Sequence, residues 1–326
     1  MTELEFGFAV LPGRHPADLR AVGAAADELG YDRMWVPDQE FMTDPFLLLA
    51  DLAARTRLDL GLALTSPFSR HPVQIARAMA SVVHLDDRER SWVLGLGVGN
   101  TNLVLGPLGL RSGATSGRLV TAVDVVRRLM LGETVRPDDS DFVTEPVALQ
   151  IAPTPCQVFV GSRGPRTLAA AAPVSDGLIT ESLFTPALVD WVRARSGIAP
   201  GTPHVAWQSV ILLEPGEPVP ESARRFAAML VRTTTSEVLD LMGVGEDVAD
   251  RARQGTLDTA DLTDDDVRRL VAVGSPGEIL ERVRAAADAG VTGWSSVFLG
   301  LPDEAARTMR RFAREVMKPF RDHRCV

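Results

Sequence analysis

The side chains best placed to carry chemistry are carboxylates that come directly after predicted buried strands. Asp38 follows the apolar strand Arg33 to Val36 and a proline, and packing alone poorly explains a carboxylate at that point. Such a group can donate a proton or orient a reacting molecule, and Glu40 and Glu181 are the other candidate acids. Aspartate is also common as a helix or turn cap, so a purely structural role for Asp38 remains open.

A second candidate site follows the fifth predicted strand, where Gly161, Ser162, Arg163 and Gly164 precede a helix. Glycine lets the backbone approach a ligand closely, and a helix amino terminus attracts anions. Arg163 could add a charged, forked hydrogen-bond donor to a phosphate. The alternative is an ordinary strand-to-helix turn, which favours the same residue types.

These residues must be positioned by a series of strand and helix units. The run from Gly61 to Asn100 shows the pattern: a short apolar strand, a polar loop, a helix opened by Pro72 and a second strand that ends in glycines. Eight such units predict a single α/β domain over residues 1–326, a (β/α)8 TIM barrel with its site at the carboxyl ends of the strands. Insertions are predicted after strand 4, at about residues 132–153, and after strand 7, at about 232–272. The whole polar segment from Pro220 to Ala272 is predicted to carry two or three helices.

Composition excludes several classes of protein. The 326 residues carry a net charge of −9, whereas nucleic-acid binding requires clustered positive charge. No run of eighteen apolar residues predicts a membrane helix, and no signal peptide is recognisable. The two cysteines and five histidines have no metal-ligand spacing. We therefore expect a cytoplasmic protein that acts on a small molecule, without a metal, nucleic acid or membrane.

Five motifs occur in order along most of the chain: DRMWVPDQEF, GLALTSPFSRHP, VLGLGVGN, VGSRGPRTLAAAA with SDGLITES, and GSPGEILERVRAAADAGVTGWSSVFL. Together they resemble the luciferase-like flavin-dependent oxidoreductases, especially the branch that uses the deazaflavin coenzyme F420. The 34 basic residues include one lysine, Lys318. That bias is typical of GC-rich coding sequences such as those of actinobacteria, where this coenzyme is common.

The resemblance implies a cofactor site. It places Asp38 near the reactive face of the deazaflavin and a non-prolyl cis peptide at Ala63-Leu64 against the ring. The polar edge of the cofactor would face Thr65 and Ser66, and the glycine loop would hold its phosphate. A homodimer is a further family expectation. The cofactor-binding residues implied are Asp38, Ala63, Leu64, Thr65, Ser66, Gly97, Gly99, Asn100, Gly161, Ser162, Arg163 and Gly164.

Two departures from the family pattern bear on the reaction. Gln39 stands where a histidine often follows the aspartate, and Asn100 stands where some members have a catalytic glutamate. Because both departures remove a titratable group, the sequence favours a reductase over an alcohol dehydrogenase. We expect F420H2-dependent reduction of a C=C or C=N bond in a small molecule, with proton donors among Asp38, Glu40 and Glu181. The alternatives are an FMN-dependent monooxygenase and a non-catalytic flavin-binding protein.

Overall fold

A closed barrel of parallel strands forms the centre of the protein. The structure, a computed structural model, describes residues 4–10, 15–39, 41–99, 104–110, 116–181, 184–199, 201–298 and 302–323. The strands within these ranges are β1 (Glu5–Ala9), β2 (Arg33–Val36), β3 (Asp59–Thr65), β4 (Trp92–Leu96), β5 (Gln157–Gly161), β6 (Gly177–Glu181), β7 (His204–Leu212), β8 (Ala272–Gly274) and β9 (Gly293–Phe298). β1 to β7 and β9 pair in a closed ring, so the predicted (β/α)8 barrel is confirmed.

Helices surround this barrel. They are α1 (Pro16–Glu28), α2 (Pro45–Ala53), α3 (Pro72–His84), α4 (Ser116–Met130), α5 (Pro165–Ala171), α6 (Pro186–Ser196), α7 (Glu221–Thr233), α8 (Ser236–Leu241), α9 (Glu246–Gln254), α10 (Asp264–Leu270), α11 (Pro276–Asp288), α12 (Pro302–Phe312) and α13 (Lys318–Asp322). Many begin with proline, whose missing N–H costs nothing in the first turn. In the described part of the chain, no helix has the length and apolar character that crossing a membrane requires.

The segment between β7 and β9 differs in detail from its prediction. Between β7 and β8 it contains four α-helices, α7 to α10, where the sequence predicted two or three over residues 220–272, and it adds the short strand β8. β8 pairs with the last residues of β7, beyond the point where β6 ends. A three-residue strand gives almost no periodic signal, which explains why the pattern of the sequence did not reveal it. After α4, the other predicted insertion contains an antiparallel bridge between Val135 and Val147.

A few large side chains fill the barrel interior, and glycines make room for them. Trp35 is fully buried there, and its ring lies in a T-shaped arrangement 5.8 Å from Trp207. A Cβ on Gly61 would lie 2.5 Å from the Trp35 ring, and one on Gly177 would lie 2.6 Å from Phe159. The interior is therefore a packed core and not an open pore.

At the amino-terminal end of the barrel, the buried Arg33 is the centre of an ion-pair network. Its guanidinium binds Glu5 through two hydrogen bonds of 2.8 and 2.9 Å and contacts Asp59 at 3.3 Å. It also donates to the backbone carbonyls of Leu60 and Ser91. Although burial opposes it, the contacts with Glu5 and Asp59 raise the pKa of Arg33. These contacts hold the amino-terminal ends of β1, β2 and β3 together.

Candidate functional site

Asp38 lies at the carboxyl end of β2 with its side chain almost completely buried, at 1% exposure. Its Oδ2 accepts a hydrogen bond of 2.7 Å from the Thr65 hydroxyl, at the end of β3, and one of 3.0 Å from Arg70 Nε. Its Oδ1 is buried too, and it finds no hydrogen-bond donor among the described residues. Asp38 thus caps none of the helices in the described ranges, and one of its oxygens is available to a bound molecule.

Arg70 joins this aspartate to the next helix. While its Nε contacts Asp38, its Nη1 lies 2.9 Å from Oδ2 of Asp44. Asp44 is the N-cap of α2, and its Oδ1 accepts a hydrogen bond from the Phe46 amide. Partial burial opposes ionisation of the guanidinium, but attraction to Asp38 and Asp44 raises the pKa of Arg70. The guanidinium thus stays charged between two carboxylates.

The peptide bond between Ala63 and Leu64 is cis, as the family resemblance implies. The pairing of β3 with β4 shifts its register between Leu62 and Thr65, at the same place. The side chain of Leu64 is half-buried and lies against the glycines of β4 and β5. A Cβ on Gly97 would lie 3.0 Å from Leu64, and one on Gly161 would overlap it. Packing against Leu64 is therefore a second reason for these two glycines, beside the predicted contact with a cofactor.

Ser66 ties the loop after β3 to the loop after β4. Its hydroxyl donates to the carbonyl of Val98 at 3.1 Å and accepts from the Phe68 amide at 3.2 Å. Gly99 has a positive φ of 76°, and a Cβ there would lie 3.1 Å from the Ser66 hydroxyl. Glycine suits this position for both reasons. The two loops therefore form one continuous rim beside Asp38 and Leu64.

The glycine loop after β5 borders the same rim through Gly161. The Ser162 hydroxyl accepts a hydrogen bond of 3.0 Å from the Gly164 amide. Within the described ranges, the half-buried Arg163 guanidinium makes one hydrogen bond, of 3.4 Å, to the Thr234 hydroxyl between α7 and α8. A cation held this weakly can turn toward an anion. The contact also shows that the helices after β7 reach the carboxyl end of the barrel.

Three of the predicted site residues cannot be placed in the same detail. Glu40 and Asn100 lie outside the described residues, and so does the side chain of Glu181, although its backbone ends β6. The structure does bring together Asp38, Leu64, Thr65, Ser66, Gly97, Gly99 and Gly161. The assignment of cofactor contacts to these residues stays a prediction.

Several histidine, aromatic and acidic residues have structural roles or lie at the surface. His71 caps α3 by accepting from the Val73 amide at 3.3 Å, and its Nε2 lies 2.7 Å from the Phe142 carbonyl. Trp35 and Trp207 belong to the barrel core, whereas Phe41 is 65% exposed. After α9, Asp258 and Asp266 each take part in a capping box at the start of a short helix.

The opposite face of the barrel carries a cleft of about 600 Å³ near the starts of β4 and β5. Its charged residues are already paired: Arg90 with Asp86 at 2.5 Å and Arg127 with Asp176 at 2.7 Å. Burial raises the pKa of the Cys156 thiol, which also lines this cleft, so the thiol is not activated. Nowhere in the described ranges do three or more His, Cys, Asp or Glu side chains form a metal-binding group.

Comparison with known proteins places this geometry in a family. The family model described as luciferase-like monooxygenase matches residues 4–293. The chain belongs to the luciferase-like monooxygenase family. The Asp38 site, the Leu64 cis peptide and the glycine loop all fall inside the matched region.

Relatives of this luciferase-like chain include enzymes named for their reactions. A 5,10-methylenetetrahydromethanopterin reductase from Archaeoglobus fulgidus is 24% identical over 311 residues, which is 89% of this chain and 92% of the relative. An F420-dependent glucose-6-phosphate dehydrogenase from Nakamurella multipartita is 31% identical over 188 residues, 53% of this chain and 54% of the relative. The solved coenzyme F420-dependent tetrahydromethanopterin reductase from Methanopyrus kandleri superposes with a TM-score of 0.77 at 17% identity, over 98% of this chain and 99% of that one.

The sequence did not identify two site residues of this luciferase-like protein. Arg70 lies in the SPFSRHP part of its motif, and it pairs with Asp38, which lies 32 positions earlier. Thr234 was interpreted only as part of an insertion, yet it contacts Arg163. The available signal for Arg70 was the acid itself, since a buried carboxylate needs a partner.

Proposed function

We propose that this protein is a coenzyme F420-dependent reductase that transfers a hydride from F420H2 to a C=C or C=N bond of a small-molecule metabolite. The observation that carries the proposal is the buried Oδ1 of Asp38, which finds no donor among the described residues at the carboxyl end of the barrel. Barrel enzymes bind their ligands at this end. The similarity to an F420-dependent glucose-6-phosphate dehydrogenase and to an F420-dependent tetrahydromethanopterin reductase supports the choice of cofactor.

The residues present suit a flat, phosphate-bearing cofactor. Leu64 offers a half-buried apolar surface, and the Asp38 carboxylate offers a hydrogen-bond acceptor beside it. Arg163 offers a weakly held cation on the loop that borders Leu64 through Gly161. When bound, the reduced deazaflavin supplies the hydride. The protein then contributes orientation, exclusion of water and hydrogen bonds to the reacting groups.

We infer reduction of the substrate, and not alcohol oxidation, from the titratable groups that the chain lacks at two positions. Alcohol oxidation needs a general base for the hydroxyl proton. Gln39 and Asn100 occupy positions where family members often carry a titratable group, and neither amide can act as a base. Reduction of an unsaturated bond requires less acid–base chemistry from the protein. We therefore expect an unsaturated acceptor and not an alcohol as the substrate.

An FMN-dependent monooxygenase is the second candidate, because the family description itself names that activity. The same site would then hold the flavin of an oxygen-activating enzyme. A non-catalytic flavin-binding protein is the third candidate, since a fold does not by itself establish an activity.

Titration of the purified protein with F420 and with FMN distinguishes these candidates. We expect F420 fluorescence to be quenched with a dissociation constant in the micromolar range or below, and FMN to bind at least about tenfold more weakly. Tight FMN binding without F420 binding would favour the monooxygenase.

A second assay tests the direction of the reaction. It supplies F420 in its oxidised form together with simple alcohols and sugar phosphates. Rapid reduction of the cofactor would contradict the reductase proposal.

A further inference from the structure

We propose that Ser209 is a specificity-determining residue whose hydroxyl donates a hydrogen bond to the carbonyl oxygen of an α,β-unsaturated carbonyl substrate. The proposal rests on the proposed reductase function. It narrows the acceptor from any C=C or C=N bond to a C=C bond that is conjugated to a carbonyl group. It also places the polar end of that substrate against β7.

Ser209 lies on the inner face of the barrel, at its carboxyl end. It pairs in register with Val297 of β9, which in turn pairs with Ala9, the last residue of β1. Trp207, two positions before Ser209, packs against Trp35 inside the barrel. Side chains two positions apart in a strand lie on the same face of the sheet. The side chain of Ser209 therefore points into the mouth of the barrel.

The hydroxyl of Ser209 has no partner among the described residues, although the residue is only 3% exposed. Two deeper groups on the same side of the barrel, Trp35 Nε1 and Ser295 Oγ, are also buried without a described partner. A Cβ on Gly7 would lie 2.7 Å from the first and 3.2 Å from the second, so they share one region. Because buried polar groups normally form hydrogen bonds, this side of the interior suits polar atoms from outside the chain. Water can satisfy the deeper pair, whereas Ser209 lies where a ligand enters.

The opposite side of the barrel offers an apolar surface. In the closed ring of β1 to β7 and β9, β3 lies opposite β7. Ala63 and Leu64 of β3 belong to the apolar packing of the interior. The Thr65 hydroxyl, at the end of the same strand, already donates to Asp38. A ligand between the two sides thus meets Leu64 on one and the hydroxyl of Ser209 on the other, which suits a planar unsaturated compound with one polar end.

The chemistry of hydride addition favours a conjugated carbonyl at this place. When a hydride bonds to the carbon farther from the carbonyl, the C=C electron pair moves toward that carbonyl and negative charge develops on its oxygen. A hydrogen bond from Ser209 stabilises this charge. The carbon next to the carbonyl then takes a proton from water, and the proton that F420H2 loses replaces it. An imine nitrogen needs a proton as the hydride arrives, and a serine hydroxyl is too weak an acid to supply it.

Infrared spectroscopy of a bound carbonyl tests the hydrogen bond without turnover. The protein is saturated with oxidised F420, and cyclohexenone labelled with carbon-13 at its carbonyl is the probe. A donated hydrogen bond weakens the C=O bond, so Ser209→Ala should shift the stretching band of the bound probe to higher frequency. Ser209→Thr keeps the hydroxyl and should leave the band near its wild-type position. An identical band in the wild-type protein and in Ser209→Ala overturns the role of Ser209.

Reduction of the same probe gives a second measurement. Ser209→Ala should slow single-turnover oxidation of F420H2 by cyclohexenone by about 10²–10³-fold, the usual effect of removing one donor to a developing negative charge. Its dissociation constant for F420 should not change. Ser296→Ala is the matched control and should keep the wild-type rate, because Ser296 is also buried but its hydroxyl already accepts a hydrogen bond from Trp294. If Ser209→Thr does not fold, Ser209→Cys keeps the size with a weaker donor and should give an intermediate rate.

The outcomes separate this proposal from the proposed function. A protein that does not bind F420 overturns the proposed function and, with it, the substrate. Binding of F420 without reduction of cyclohexenone overturns the substrate class alone, and reduction of the cyclic imine pyrroline in its place would preserve the reductase function. Equal rates of cyclohexenone reduction in the wild-type protein and in Ser209→Ala overturn the role of Ser209 while the function stands.

Discussion

The side chain of Leu64 occupies the space that a side chain on Gly161 would need. A Cβ placed on Gly161 would lie 2.5 Å from Leu64 Cδ2 and 2.9 Å from its Cγ. The two residues belong to β3 and β5, which are separated by β4 in the barrel. The contact therefore crosses the interior at the carboxyl end, and it links the cis peptide to the glycine loop.

We expect Gly161→Ala to destabilise the protein by about 1–3 kcal/mol, because overpacking forces neighbouring atoms to move. Gly117→Ala, in the first turn of α4 with nothing within 4 Å, is the control and should be neutral or slightly stabilising. Urea unfolding measures both. Adding Leu64→Ala should recover part of the loss in Gly161→Ala, and purely additive effects would contradict the packing explanation.

Removal of Arg33 should be much more costly than removal of an exposed arginine. Arg33→Gln leaves Glu5 and Asp59 without their cation, and breaking a buried pair typically costs about 3–5 kcal/mol. The matched control is Arg57→Gln, whose side chain is 83% exposed and contacts Asp27 at 3.5 Å. Its loss should cost less than about 1 kcal/mol. Similar unfolding free energies for the two variants would contradict the role of Arg33 in holding these three strands together.

The buried His204 should make stability depend on pH. Burial, with a smaller effect from the nearby Arg193, lowers the pKa of His204 to about 4, from 6.5. Between pH 6.5 and pH 4 the unfolded chain binds a proton that the folded protein does not, so stability is complete above pH 6.5 and falls as the pH drops. The loss from this group approaches about 3 kcal/mol.

Comparison of variants isolates this contribution. In His204→Gln, the drop in unfolding free energy between pH 7 and pH 4.5 should be smaller than in the wild-type protein. His84→Gln, at an exposed position, should keep the full drop. An equal drop in all three proteins would mean that His204 does not titrate as described.

The Arg163 guanidinium should matter for cofactor binding and little for folding. Arg163→Glu places a negative charge on the predicted phosphate loop and should weaken F420 binding by about 1–3 kcal/mol. Arg166→Glu, with an exposed side chain three residues later, is the control and should bind nearly normally. Thr234→Val removes the hydrogen bond to Arg163 and should have a smaller effect. Equal binding by the two glutamate variants would exclude Arg163 from the site.

Replacement of Asp38 should separate activity from stability. Asp38→Asn preserves size but replaces an acceptor oxygen by a group that also donates hydrogen bonds. We expect single-turnover oxidation of F420H2 to slow by roughly 10²–10⁴-fold. Single-turnover rates equal to those of the wild-type protein would remove Asp38 from the reaction site. Thermal melting of the same variant shows whether folding has changed.

The sequence by itself determined the local elements and their order. Short apolar runs predicted the barrel strands within about two residues, and prolines marked the first turns of the helices, because both signals depend on residues close together in the chain. The same reasoning placed Asp38, Thr65 and Arg163 at the carboxyl ends of strands. Parallel strands in a barrel bring those ends together, so the position of the site followed from the fold.

Only the tertiary structure decided which of these residues meet. Asp38 and Arg70 lie 32 positions apart, and Arg163 and Thr234 lie 71 positions apart. Their contacts depend on strand register and on the direction of each side chain, which local patterns do not encode. The packing of Leu64 against Gly161 and the complete burial of His204 also depend on strand register and side-chain direction. In each case the deciding factor is a pairing between distant segments, which exists only once the barrel has closed.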